Sequence, residues 1–156
     1  MFISMQSETP KYLFTALTPD LVVKYWSDLE PQITRALPHG GHELTTAGIL
    51  KGILNKTIQC FVILNEDMSI ETVFTTQILE FENYKAMQFL TCGGKIHDVE
   101  AWGENNIHFE NFAKANGCKS LRLVGRKGWG RFLTKIKSSS GTAYEPLYTT
   151  FEMELE

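Results

Sequence analysis

Cysteine is scarce in this chain: Cys60, Cys92 and Cys118 are the only three in 156 residues. They are odd in number and widely spaced, and each lies in or beside an apolar stretch. That excludes a disulfide framework and points to reduced, buried thiols in a cytosolic setting. No Cys pair has metal-binding spacing. No apolar run approaches the length of a membrane span, so no membrane partner is expected. The first residues, MFISMQSETPKY, have neither a basic start nor a long apolar run, and do not read as a secretory signal. Internal repeats, low-complexity tracts and a nucleophile elbow are all missing. Acid is missing from one long stretch. Between Asn111 and Tyr144 there is no Asp or Glu, although 18 acids against 15 Lys and Arg give the chain a formal charge of −3.

What is present describes one domain. The chain is 43% hydrophobic and 12% aromatic, enough for a substantial core, and its 21% charged residues are too few for a disordered chain. Residues 1–10 read as a flexible tail before a domain over 11–156. Tyr12 to Leu17 suits a strand. Thr18-Pro19-Asp20 starts a helix, with Thr as N-cap, Pro at the first helical position and Asp in the first turn. Its apolar residues run from Leu21 to Leu37, and Pro31 should kink or divide it. Pro38 to His42 is a loop. Thr45 caps a short helix with Ile49, Leu50, Ile53 and Leu54 on one face. Ile58–Leu64 and Ser69–Phe81 read as a hairpin about Asn65-Glu66-Asp67, and Tyr84–Thr91 as a third strand. Asp98 caps a long helix that puts Trp102, Phe109, Phe112 and Ala113 inward and stops at Asn116-Gly117. Ser120–Val124 alternates as a strand. Trp129, Phe132, Leu133 and Ile136 then recur at helical spacing, with Trp129 as a buried anchor. Tyr144–Leu155 alternates again as a terminal strand, with a break at Pro146. Strands interleaved with helices in this order give a mixed, mostly antiparallel sheet with helices on both faces, an α/β fold.

The acid-free stretch holds the densest charge. Lys119, Arg122, Arg126, Lys127, Arg131, Lys135 and Lys137 fall on a strand, a tight turn and a helix start, where free amides and the helix dipole favour an anion. Arg126, Lys127 and Arg131 are therefore candidates for binding an anionic partner: an acidic protein surface, a nucleic acid, or coenzyme phosphates. The alternative is a solvated basic face. No nucleic-acid motif accompanies it. His39 and His42 flank two glycines without further ligands, so no metal site is assigned. Glu71, Glu80 and Glu82 lie on or beside the middle strands as unranked candidate bases.

Asn116-Gly117-Cys118, a strand, and Gly125-Arg126-Lys127-Gly128-Trp129 resemble a small GNAT-like (N-acetyltransferase fold) family of tailed phages and prophages. The rest of the chain from about Thr18 is compatible with that family more loosely. The resemblance implies a single GNAT-like domain with an acetyl-CoA cleft between the strand ending near Thr91 and the strand Ser120–Val124. If coenzyme A binds, Gly93, Gly94, Lys95, Arg126, Lys127 and Gly128 are the residues to hold it. Two departures stand against that. The glycines are adjacent instead of spaced, with Asp98 close by. Leu133 also occupies the place on the last helix where the fold commonly carries a proton-donating Tyr. The reading placed first is accordingly a non-catalytic phage protein in the host cytoplasm or the virion, acting in virion structure or assembly with other virion proteins or nucleic acid. The alternative is an acetyl-CoA-dependent N-acetyltransferase with an atypical active site.

Overall fold

The computed structural model describes residues 12–37, 43–94, 99–124, 133–148 and 151–155. The expected tail over 1–10 and the loop Pro38–His42 lie outside that set.

Where the chain alternates or runs apolar with β-branched residues, it forms strands; where apolar residues return every three or four, it forms helices. In order these are β1 (Leu13–Leu17), α1 (Pro19–Lys24), α2 (Trp26–Ala36), α3 (Thr46–Leu54), β2 (Ile58–Leu64), β3 (Ile70–Glu80), β4 (Lys85–Gly94), α4 (Val99–Ala115) and β5 (Ser120–Leu123). The expected caps are made: Thr18 Oγ1 accepts from Leu21 N at 3.3 Å and Thr45 Oγ1 from Gly48 N at 3.0 Å. The β2–β3 hairpin closes at its predicted turn, with Met68 N donating to Asn65 O at 2.9 Å.

The strands form one sheet in the order β1-β2-β3-β4-β5. Neighbours are antiparallel, except that β5 runs parallel to β4 because α4 carries the chain back across the sheet. Each face has its own core. On one side Val22, Leu29, Ile33, Ile49 and Ile53 of α1 to α3 pack on Cys60, Val62 and Val73. On the other, Trp102, Phe109 and Ala113 of α4 pack on Phe61, Phe74, Met87 and Phe89. Phe109 meets Phe14, Phe61, Phe74 and Phe89 edge-on at 4.9–5.4 Å between centroids, the preferred aromatic geometry. The mixed sheet with helices on both faces is as the sequence predicts.

Three expectations need correction or fall outside the described residues. The break in the first helical run lies at Tyr25, whose φ of −105° and ψ of 18° separate α1 from α2, and not at Pro31, which sits inside α2. Pro31 comes early, where the hydrogen bond it forgoes would reach only the first turn, and Leu29 and Ile33 bury the helix on either side of it. Residues Tyr144–Tyr148 and 151–155 form no strand; the one pairing past β5 among the described residues is an isolated bridge between Lys137 and Ala143. Most of the basic turn and the start of the helix expected after it, including Trp129, lie outside the described residues. Leu133–Lys135 form a turn that closes with Ile136 N on Leu133 O at 3.1 Å.

Candidate active site

β4 and β5 pair over only part of their length. Ala86 to Phe89 face Ser120 to Leu123, and from Leu90 to Gly94 β4 has no described strand partner on that side. At the same point β4 carries an extra residue. Thr76 opposes Phe89 and Thr75 opposes Thr91, leaving Leu90 as a bulge. The bulge changes which side chains face α4. Met87 and Phe89 point to the α4 core, Leu90 packs in the opposite core, and Cys92 returns to the α4 side. Thr91 is fixed by a hydroxyl–hydroxyl hydrogen bond to Thr75 at 2.5 Å. The second half of β4 thus has one edge without a strand partner among the described residues.

The glycines at the end of β4 have structural work. A Cβ on Gly93 would stand 2.3 Å from the carbonyl oxygen of Gln32 in α2. Gly94 has φ of +104°, and a Cβ there would lie 2.5 Å from the carbonyl oxygen of Glu71. The space their missing side chains leave is filled by the protein's own backbone, which is one reason that glycine stands at both positions. Lys95, Arg126, Lys127, Gly128 and Arg131 lie outside the described residues. Of the three carboxylates, Glu80 sits in a surface pair with Lys85 at 3.2 Å and Glu82 is exposed. Glu71 is buried, at the β3 bulge beside Gly94.

A polar cluster covers Cys92 from the α4 side. Trp102, Asn106 and Glu110 stand at successive helical turns, all buried. Trp102 Nε1 donates to Asn106 Oδ1 at 3.2 Å, and Asn106 Nδ2 donates to Glu110 Oε2 at 2.9 Å. Glu110 Oε1 accepts from Ser139 N and Ser139 Oγ, both at 3.0 Å. Tyr144 completes the set by donating from its hydroxyl to Asn106 Oδ1 at 3.3 Å. Burial pushes the Tyr144 phenol well above its ordinary value, and the neighbouring Cys92 and Glu110 push the same way. Burial likewise raises the Cys92 thiol. Both groups keep their protons at neutral pH. Leu133 packs against the same core and offers no proton.

The sequence reading sought a hydroxyl only on the last helix and passed over Tyr144, which it placed at the start of a strand. The spacing of Trp102, Asn106 and Glu110, four residues apart, was the available signal of a polar row on α4. Among the described residues no three His, Cys, Asp or Glu gather as metal ligands. His108 instead stacks on Phe14 at 4.8 Å. Arg122 lies over the rings of Phe81 and Tyr148 and hydrogen-bonds the Tyr148 hydroxyl.

No protein-family model and no curated protein matches this chain. Solved structures do. An aminoglycoside acetyltransferase from an uncultured soil metagenomic sample, in complex with sisomicin, superposes with a TM-score of 0.65 at 15% identity, covering 94% of this chain and 97% of that one. A GNAT family acetyltransferase of Staphylococcus aureus gives 0.56 at 14% identity over 94% and 100% of the two chains. Glucosamine-6-phosphate N-acetyltransferase of Arabidopsis thaliana gives 0.53 at 15% identity over 94% and 100%. At such identities the likeness speaks for architecture, and the chain has the fold of the GNAT acetyltransferases.

Proposed function

We propose that the protein is an acetyl-CoA-dependent N-acetyltransferase in which Tyr144 stabilises the leaving thiolate by a hydrogen bond. The observation that carries this reading is the end of the described β4–β5 pairing at Phe89, with the Tyr144 hydroxyl beside Cys92 on the half of β4 that has no strand partner on that side among the described residues. Acetyl-CoA, when bound, supplies an activated acetyl group and a thiolate leaving group. The backbone of Leu90 to Gly94 would hold its extended arm by strand-like hydrogen bonds. Tyr144 Oη, protonated because burial opposes its ionisation, would turn its single proton from Asn106 Oδ1 toward the sulfur as negative charge develops there. So high a proton affinity makes it a stabiliser by hydrogen bonding, with water completing the proton transfer. Asn106, held by Trp102 and Glu110, keeps the hydroxyl in place. Glu71, the buried one of the three candidate carboxylates, stands at the same end of β4 as candidate base for an amine acceptor. The solved neighbours that act on amino sugars make an aminoglycoside such as sisomicin a sound first acceptor to try.

A second reading, a non-catalytic protein of a phage particle that uses the basic stretch with Arg126, Lys127 and Arg131 toward a virion protein or nucleic acid, draws support from Leu133 in the usual Tyr position. One experiment separates the two: calorimetry with acetyl-CoA, followed by turnover on a panel of amines including sisomicin. Binding with turnover, and a kcat about a hundredfold lower in Tyr144→Phe with KM for acetyl-CoA unchanged, supports the enzyme. No heat and no turnover leaves the non-catalytic reading.

A further inference from the structure

Tyr144 lies outside the described helices and strands, so no backbone ladder fixes where its ring stands. The loop just before it does so. Lys137 and Ala143 pair as an isolated bridge. Between them the chain closes on itself. Ser138 N donates to Thr142 O at 2.7 Å, Gly141 N to Ser138 O at 2.9 Å, and Thr142 N to Ser138 Oγ at 2.9 Å. A loop tied by its own hydrogen bonds moves as one piece. Holding it at one point therefore holds Tyr144, which follows the bridge directly.

The hold is Glu110. This side chain of α4 is 7% exposed. Its Oε1 accepts from Ser139 N and Ser139 Oγ, both at 3.0 Å, and its Oε2 accepts from Asn106 Nδ2 at 2.9 Å. One oxygen thus grips the loop and the other grips Asn106. The second grip has a direction. An ionised carboxylate only accepts, so the amide nitrogen of Asn106 must face it. That leaves Asn106 Oδ1 toward Trp102 Nε1 and the Tyr144 hydroxyl, which both donate to it. Reversed, the amide would set its NH2 against the indole N–H, two donors face to face. Glu110 therefore reaches Tyr144 by two routes, through the loop backbone and through the amide of Asn106. A buried carboxylate adds little stability that an apolar group of the same size would not. What it adds here is direction.

We propose that Glu110 is a positioning residue for acetyl transfer, setting the Tyr144 hydroxyl against the sulfur of acetyl-CoA through the loop 137–143 and through Asn106. This rests on the catalytic reading above, and adds to it a residue that acts only through others.

A double-mutant cycle on turnover of acetyl-CoA tests it. Glu110→Gln keeps the size but turns an NH2 on either Asn106 Nδ2 or Ser139 N, so one grip is lost. It is expected to lower kcat about tenfold or more and to leave KM for acetyl-CoA within about twofold. In the Tyr144→Phe background the same change should alter kcat by less than about twofold, because the hydroxyl that it positions is gone. Ser139→Ala is an exposed change that removes only the Oγ donor and spares the fold. It should lower kcat about threefold, with an unchanged thermal midpoint and the same dependence on Tyr144. Wild-type kcat in either variant overturns the proposal. Equal losses with and without the Tyr144 hydroxyl also overturn it, and make Glu110 a structural residue only. A wild type without turnover overturns the catalytic reading and this role with it, which neither of the other results does.

Discussion

Cys60 shows how burial alone decides a residue's chemistry. It lies in β2 against α1 to α3, and removal from water pushes its thiol from an ordinary 9.0 up to about 12. Because the folded value is raised, the folded state holds the proton more tightly than the unfolded chain. Its contribution to stability is therefore complete below pH 9, and is lost as pH rises from 9 to 12. The slope of unfolding free energy against pH over that interval should be shallower in Cys60→Ala than in the wild type; equal slopes would show that the thiol is not shielded. Iodoacetamide should leave Cys60 untouched in the native protein at neutral pH, since the thiolate is the reactive form. This much was legible in the sequence, because Cys60 lies in a run of apolar residues. The roles of Gly93 and Gly94 were not. An adjacent glycine pair reads as a phosphate cradle or as a close approach of backbones, and the close approach shows only in the positions of Gln32 and Glu71.

At the scale of elements, α4 is held to the chain that follows β5 by polar groups as well as by its aromatic face. Asn106 sits between Trp102, Glu110 and Tyr144, and Glu110 in turn caps the turn at Ser139. Asn106→Ala would remove the hydrogen-bond partner of one buried Glu110 oxygen and of the Tyr144 hydroxyl, at about 1–3 kcal/mol for each group left unsatisfied. Urea unfolding should show a loss of that order. A loss under about 0.5 kcal/mol, the usual range of surface changes, would mean that water replaces the amide freely. Helices and strands of this kind were readable because their signals are local: a cap at Thr18, a turn at Asn65, an alternating run. The Pro31 expectation failed because the rule for proline assumes a helix interior, while Leu29 and Ile33 bury the helix on either side of it and the break lies nearly two turns earlier, at Tyr25. The alternation of 144–155 predicts a strand, but the described residues there form none, because pattern alone names no partner. Among the described residues no strand pairs with it.

At the scale of the molecule, sequence order supplied the layers of the fold, and the resemblance supplied a cleft between the strand ending near Thr91 and the strand Ser120–Val124. The sequence left unread the single extra residue at Leu90, which ends the β4–β5 pairing region and turns Cys92 toward α4. A bulge has no compositional mark; it exists only as a mismatch between two strands. Its consequence is testable by amide hydrogen exchange. From Ala86 to Phe89, β4 is bonded on both edges, to β3 and to β5. From Leu90 to Gly94 it is bonded to β3 alone among the described strands, so amides there that face away from β3 should exchange faster than those of Ala86 to Phe89. If this edge receives the amide arm of acetyl-CoA, saturating ligand should slow the same amides and leave those bonded to β3 nearly unchanged. Protection confined to Leu90–Gly94 would support the strand-like mode of binding. Binding that is detected by calorimetry but leaves these amides unprotected would place the ligand elsewhere in the fold.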